Sequence, residues 1–276
     1  MTDDAALDEL RFLTRALRAH LEWQASTGAT GLERAALEAP TPVASSRPEP
    51  IALAPSVGPS VVASALDARA TEQSAMTPSA AAPSGGAQTR LTVLAEAVRS
   101  CTKCGLSQHR KQTVFARGTG SSGVCFVGEG PGADEDAQGL PFVGKAGQLL
   151  DRMIEAMGLG RDEVYVCNVV KCRPPDNRKP ELDEMAACLP YLNEQLELIQ
   201  PRVIVALGAT AVQGLFGTTE GITRMRGKWK TYRGQIDVMP TFHPAYLLRT
   251  PAAKREVWDD LQEVLKKLGR SVPVRR

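Results

Sequence analysis

The stretch VCFVGEGPG, residues 124–132, is a short apolar run that passes directly into glycines and a carboxylate. Two further runs have this form, VYVCNVV at residues 164–170 and RVIVALG at residues 202–208. Segments with helical spacing separate them, and strands that are apolar along their whole length are typical of a parallel sheet with both faces covered. The pattern therefore predicts an α/β fold with a mostly parallel central sheet.

The remaining elements of the predicted fold follow from spacing. Helices are predicted over residues 91–100, 144–160, 181–199, 208–217 and 252–268, and a strand pair is predicted around residues 228–239. Pro190 is expected to kink the helix that contains it. Parallel sheets bind ligands beyond the carboxyl ends of their strands, and three strands here end in polar or glycine-rich sequence. We therefore expect a site at that edge.

The first part of the chain has a different composition. Residues 5–23 place leucines at helical spacing, which predicts an amphipathic helix within residues 1–26. Residues 27–90 are dominated by Ala, Pro, Ser, Gly and Thr and predict a disordered linker. A lone helix needs something to pack on, so residues 1–26 are expected to pack either on the body of this protein or, as a docking element, on a protein partner. Residues 91–276 then form the main folded domain, which we expect to be monomeric.

Charge and hydropathy bear on location. Residues 1–90 hold 7 Arg and no Lys against 10 acidic side chains, a net charge of −3, so the rest of the chain carries +5 of the total of +2. A modest positive excess permits contact with phosphate but does not require it. No apolar run reaches the roughly 18 residues of a membrane span, and the acidic start lacks the basic residues of a secretory signal. We expect a cytoplasmic protein, in the bacterial cytosol or nucleoid.

Four of the six cysteines lie outside the apolar strands: Cys101, Cys104, Cys172 and Cys188. The other two, Cys125 and Cys167, lie within strands, where a small buried thiol is ordinary. Four cysteine ligands can hold tetrahedral zinc or an iron-sulfur cluster. The wide spacing of the second pair favours the larger group, while zinc and unrelated core thiols stay open on spacing alone.

A group of side chains with complementary chemistry falls at the predicted strand ends. GEGPG supplies Glu129, LPFVGKAG supplies Phe142, and the second strand ends at Asn168. FHPAYLLR supplies His243 and Arg249. An acid, an aromatic face, an amide and a histidine around one cleft can stack a flat heterocycle, bind its edge and assist its departure.

The motifs GEGPG, LPFVGKAGQLL, NVVKCRPPDNRKP, ITRMRGKW and FHPAYLLR, in this order, together with the four spaced cysteines, resemble the family 4 uracil-DNA glycosylases. The resemblance covers about residues 91–268. It implies a three-layer α/β/α domain and a [4Fe-4S] cluster with Cys101, Cys104, Cys172 and Cys188 as ligands. It also implies hydrolysis of the N-glycosidic bond of uracil in DNA, which leaves an abasic site.

The resemblance also implies site roles. Gly128 and Gly130 allow the backbone to approach the substrate, Phe142 stacks on the flipped base, and the Asn168 amide binds uracil rather than cytosine. His243 donates to uracil O2, and Glu129 orients water or stabilises the cationic sugar. The well-known uracil-specific branch has an aspartate where this chain has Gly130, so in this chain Glu129 is the acid of the first motif.

Three basic residues are expected to contact DNA phosphates: Arg249, Lys228 and Arg226. Two alternatives to a turnover enzyme are open. One is a related branch that traps uracil-DNA covalently through a histidine in an inserted loop, beside a glutamine in the middle of the first motif. Gly130 at that position and the absence of histidine from RPPDNRKP disfavour it. The other is a non-catalytic DNA-binding module of a replication or repair complex.

Overall fold

The computed structural model describes residues 85–273. The helix predicted within residues 1–26 and most of the linker predicted over residues 27–90 lie outside the described residues. Helix α1, Gly85–Arg99, begins earlier than the predicted start at residue 91, so residues 85–90 of the predicted linker are helical.

One five-stranded sheet forms the centre of the described part, in the order β2-β1-β3-β5-β4. The strands are β1 Val124–Gly128, β2 Tyr165–Asn168, β3 Val203–Leu207, β4 Lys230–Tyr232 and β5 Ile236–Thr241. Pairing is parallel between β1 and β2, β1 and β3, and β3 and β5, whereas β4 runs antiparallel to β5. The prediction of a mostly parallel sheet is confirmed.

Helices follow or precede each strand. After α1 come α2 Ala133–Gln138, α3 Lys145–Ala156, α4 Leu182–Ile199, α5 Ala209–Phe216, α6 Ile222–Met225, α7 Pro244–Arg249 and α8 Lys254–Lys267. Short 3-10 turns lie at Gly105–Gln108, Pro175–Asn177 and Pro251–Ala253. Pro190 lies inside α4. Within residues 85–273, none of these helices has the length and apolar character that a membrane crossing demands.

Two apolar cores lie on opposite faces of the sheet, because successive strand side chains point to opposite faces. Cys125 and Val127 of β1 pack in the first core with residues of α1, α4 and α5. Val124 and Phe126 of the same strand pack in the second core with residues of α3, α7 and α8. The sheet is therefore covered on both faces, as the uniformly apolar strands predict.

The strand order creates a crevice at one edge of the sheet. β1 lies between β2 and β3, and the chain leaves β1 towards α3 on one face but leaves β3 towards α5 on the other. Where neighbouring strands lead to helices on opposite faces, the loops separate beyond the carboxyl ends of those strands. The loops that begin at Glu129 and at Gly208 therefore border an open space.

Candidate active site

A cavity of about 600 Å³ lies beyond the carboxyl ends of the parallel strands. Six of the residues predicted for the site line it: Glu129, Gly130, Phe142, Asn168, His243 and Arg249. They come from four separate segments, which only the parallel sheet brings together. The acid, the aromatic ring, the amide and the histidine that were grouped from the sequence thus line a single cavity in the structure.

Gly128 lies where the aromatic ring and the amide meet. A Cβ atom on Gly128 would stand 2.5 Å from Phe142 Cζ and would also overlap Asn168 Oδ1. Gly130 is similarly close to Val170, whose Cγ2 would lie 2.7 Å from an added Cβ. Gly128 therefore lets Phe142 and Asn168 approach the backbone of the first motif, and Gly130 does the same for Val170.

Phe142 has a backbone conformation that is unusual for a residue other than glycine. Its φ is 56°, in the left-handed region that is uncommon for residues other than glycine. The residue is only 5% exposed, and its ring lies 5.6 Å from the His243 ring, centroid to centroid. Arg117 holds the preceding residue, because Arg117 Nε donates to Pro141 O over 3.1 Å.

Glu135 of α2 ties two loops of the site to each other. Its Oε2 accepts the Gly132 N–H at 3.1 Å, at the end of the first motif. Its Oε1 accepts the N–H groups of Val143 and Gly144, each at 2.9 Å, directly after Phe142. One carboxylate thus fixes the loop that carries Glu129 relative to the loop that carries Phe142.

Asn168 ends β2 and is 2% exposed. Within residues 85–273, its side-chain Oδ1 is one of two buried polar side-chain atoms without a hydrogen-bond partner. A buried oxygen that lacks a donor is costly unless a ligand supplies one. The amide is therefore prepared to accept a hydrogen bond from a molecule in the cavity.

Glu129 is held from the neighbouring strand end. Thr210 Oγ1, in the first turn of α5, donates to Glu129 Oε2 over 2.5 Å. Thr210 is 3% exposed, so the hydroxyl has little access to water. With Oε2 occupied by this donor, Oε1 is the carboxylate oxygen left for a ligand or a water molecule.

His243 caps the N-terminus of α7. Its Nδ1 accepts the Ala245 N–H at 3.1 Å, which identifies Nδ1 as the unprotonated nitrogen. Burial, reinforced by the positive charge of Arg249 and opposed by Glu135, lowers the pKa of His243 to about 4. At neutral pH the imidazole is therefore uncharged, and its remaining proton is on Nε2.

The four cysteines outside the strands line a second, smaller cavity between α1, the loop after β2, and α4. Among residues 85–273, no three His, Cys, Asp or Glu side chains converge closely enough to hold a single metal ion. The four thiols thus surround one space without meeting at one point. All six cysteines are free thiols, and Cys125 and Cys167 are fully buried in strands, as predicted.

Two N–H groups donate to these sulfur atoms. Arg110 Nη1 donates to Cys172 Sγ over 3.1 Å, and the main-chain N–H of Lys171 donates to Cys188 Sγ over 3.3 Å. Burial raises the pKa of Cys188 to about 12 and also raises the pKa values of Cys104 and Cys172. The thiols of Cys104, Cys172 and Cys188 are therefore protonated unless a cation binds among them.

The three predicted DNA contacts are placed differently from one another. Arg249 is exposed at the wall of the active-site cavity. Lys228 is exposed but does not line that cavity. Arg226 is 18% exposed and forms ion pairs with Asp260 at 2.7 Å and Glu256 at 3.0 Å, so its guanidinium joins α6 to α8.

Sequence reasoning missed Thr210, Glu135 and Lys171. Thr210 and Lys171 each lie three residues beyond the end of an observed strand, which is a weak signal for a site. Glu135 carries no such signal, because its partners are backbone N–H groups that no side-chain motif identifies.

Comparison with known proteins gives consistent matches. The model of the uracil DNA glycosylase superfamily matches residues 115–262. A type-4 uracil-DNA glycosylase of Thermotoga maritima is 46% identical over 176 residues, which cover 63% of this chain and 92% of that protein. Type-4 uracil-DNA glycosylases of Saccharolobus solfataricus and Sulfurisphaera tokodaii are each 44% identical, and the matched regions cover 87% and 83% of those proteins and 65% and 63% of this chain.

Proposed function

This chain belongs to the uracil-DNA glycosylase superfamily and acts as a uracil-DNA glycosylase in DNA repair, and we propose that its site consists of Glu129, Gly128, Gly130, Phe142, Asn168 and His243. The observation that carries this assignment is the shared cavity, which joins a buried aromatic ring, an amide oxygen without a partner, a carboxylate and a neutral histidine. Each of these groups matches one requirement of uracil excision.

The first requirement is access to the base. A uracil inside a duplex is unreachable, so it must leave the base stack and enter the cavity. In the proposed site, the ring of Phe142 stacks on the flipped base. Asn168 Oδ1 accepts from uracil N3–H, and the amide nitrogen donates to uracil O4. Cytosine presents the opposite pattern, which would leave buried groups unpaired at about 1 to 3 kcal/mol each.

The second requirement is stabilisation of the separating charges. When the bond between N1 and C1′ breaks, its electron pair stays on uracil and the sugar gains positive character. His243 Nε2–H donates to uracil O2 as negative charge develops there, and a neutral imidazole can do this without an initial proton transfer. Glu129 Oε1 orients the water whose oxygen bonds to C1′, or stabilises the cationic sugar.

We propose further that Cys101, Cys104, Cys172 and Cys188 hold a [4Fe-4S] cluster. Support comes from four thiols around one space, from the N–H groups of Arg110 and Lys171 directed at two of the sulfur atoms, and from a wider arrangement than one ion needs. When bound, the cluster supplies a cross-link between the segment after α1, the loop after β2, and α4. Hydrolysis of an N-glycosidic bond transfers no electron, so the group is structural.

For DNA we propose Arg249 and Lys228 as phosphate contacts, because both are exposed. Arg226 is a weaker candidate, since its two ion pairs occupy the guanidinium. Replacing Arg249 or Lys228 with Gln should reduce the salt dependence of DNA binding, and an unchanged slope would contradict the assignment.

The direct test is uracil release from a U·G oligonucleotide by anaerobically purified protein, beside Glu129→Ala and His243→Ala. We expect release by the wild type, a steep fall in both variants, and cluster absorption in all three. Protein that stays attached to uracil-DNA after denaturation would instead indicate covalent trapping. A protein that binds DNA and carries iron yet frees no uracil would indicate a non-catalytic module.

A further inference from the structure

Lys171 is a fully buried lysine between the two cavities. It lies three residues beyond the end of β2 and is 1% exposed. Its ammonium group donates to the main-chain oxygen of Asn168 over 2.7 Å. Burying an ammonium group is among the most costly events in folding unless negative charge compensates for it.

The expected carboxylate partner is missing from the described part of the chain. Among residues 85–273, no Asp or Glu oxygen lies within 4.0 Å of the Lys171 ammonium. A carbonyl oxygen satisfies one of its three N–H groups but provides only a partial charge. Within the part of the chain that the structure describes, the ammonium therefore lacks a full counter-charge.

The four cysteines of the small cavity could supply this negative charge once they bind a metal group. Lys171 lines the small cavity with Cys101, Cys104, Cys172 and Cys188. The main-chain N–H of Lys171 donates to Cys188 Sγ. Metal-bound cysteines are thiolates, so an iron-sulfur group held there would place anionic charge beside the ammonium.

Lys171 is also bonded to a residue of the uracil site. Asn168 presents its amide to the active-site cavity while its carbonyl oxygen accepts from Lys171. The following residues are tied to the first motif, because the N–H groups of Val169 and Val170 donate to Gly128 O at 3.0 Å and Glu129 O at 3.1 Å. The ammonium thus completes the bonding of the segment from which the uracil-binding amide projects.

We propose that Lys171 is a positioning residue that connects the cysteine cavity to the uracil site: its ammonium balances the charge of the thiolate-bound cluster and fixes the main chain of Asn168. This inference rests on the proposed cluster and the proposed uracil site. It predicts two effects of one side chain, one on the cluster and one on uracil binding.

The test compares the wild type, Lys171→Met, Lys171→Arg and the control Lys266→Met in the full chain, all purified anaerobically. Lys266 is an exposed residue of α8 that pairs with Glu263. The measurements are iron content, the reduction potential of the cluster followed by EPR, and the inhibition constant of free uracil. KM and kcat for uracil release are measured on the same samples.

Removing the positive charge disfavours the more negative, reduced state, so Lys171→Met should move the reduction potential to a more negative value. It should also weaken inhibition by free uracil roughly tenfold, equivalent to about 1.4 kcal/mol. Lys171→Arg keeps the charge but not the geometry, so its potential should stay near that of the wild type while its uracil affinity falls. The control should match the wild type in every measurement.

Equal potentials and equal uracil affinities in the wild type and Lys171→Met would overturn the proposal. If Lys171→Met does not fold, Lys171→Arg decides, since unchanged uracil affinity in that variant would overturn the link to Asn168. Wild-type protein without iron would overturn both the cluster and this inference. Iron-loaded wild type that frees no uracil would contradict only the proposed function, and the potentials would still decide the charge balance.

Discussion

Thr210 Oγ1 and Glu129 Oε2 lie 2.5 Å apart, so a hydrogen bond connects the loops that follow β3 and β1. It crosses the crevice where those two loops diverge. The contact fixes which oxygen of Glu129 faces the cavity, and the geometry of the acid therefore depends on a residue from a different strand.

Replacing Thr210 with Val should remove this donor while keeping the side-chain volume. A hydrogen bond to a charged group contributes about 1.5 to 3 kcal/mol, so kcat for uracil release should fall roughly 10- to 100-fold with little change in KM. Single-turnover and steady-state assays would measure both. Thr210→Ser should restore most of the rate, and failure of Ser to do so would point to packing instead.

Glu135→Ala should loosen the contact between the two loops, because three backbone N–H groups lose their acceptor. We expect kcat/KM for uracil release to fall by at least about 100-fold, since each unsatisfied group costs about 1 to 3 kcal/mol. Glu135→Gln retains one acceptor oxygen and should be intermediate. Glu155→Gln, an exposed change on α3, serves as the control. Wild-type kinetics in Glu135→Ala would refute the role.

His243 should make stability depend on pH in a defined window. Its ordinary pKa is 6.5 and its folded pKa is about 4, so between these values the unfolded chain binds a proton that the folded protein does not. The free energy of unfolding should therefore fall as pH drops from 6.5 towards 4. Urea unfolding at a series of pH values would measure this for the wild type and for His243→Asn, which can still cap α7. The free energy of unfolding should depend less steeply on pH in the variant than in the wild type. Parallel slopes would contradict the lowered pKa.

Gly128→Ala should disturb the site by overpacking, since the added Cβ meets both Phe142 and Asn168. We expect a loss of about 1 to 3 kcal/mol in the free energy of unfolding and a raised KM for uracil release. Gly221→Ala is the matched control, because no atom lies within 4 Å of its added Cβ. Equal stability of the two variants in urea titrations would show that the contact at Gly128 relaxes freely.

The iron contents of Cys172→Ala and Cys167→Ala should distinguish a ligand of the proposed cluster from a thiol of the apolar core. Cys172 lines the small cavity, whereas Cys167 is buried in β2. Iron content and visible absorption after anaerobic purification should fall sharply in the first variant and stay at the wild-type level in the second. Equal iron in both would refute the proposed ligand set.

The sequence was sufficient for the fold because its signals are local. The strands β1, β2 and β3 are short apolar runs between turn residues. Because the carboxyl ends of parallel strands must share one edge, Glu129, Asn168 and the loop after β3 could be grouped in advance. The bonds of Thr210, Glu135 and Lys171 could not be predicted. They depend on side-chain directions and backbone N–H positions that only the assembled loops define.

The predicted phosphate contacts show the same limit. Basic residues near a motif are easily nominated from sequence, but whether a guanidinium is available depends on its neighbours in space. Asp260 and Glu256 of α8 pair with Arg226, and nothing in their sequence positions relates them to the motif that contains it. Arg249, by contrast, is exposed at the wall of the active-site cavity.

The edge strands of the sheet also limit how copies of the protein can associate. β4 has only three residues, and at the opposite edge Arg117 forms an antiparallel bridge with Val166 of β2. Long, flat, unpaired edges are templates for strand addition and aggregation. Because both edges here are short or partly covered, molecules that crowd together on damaged DNA would find little free backbone through which their sheets could join.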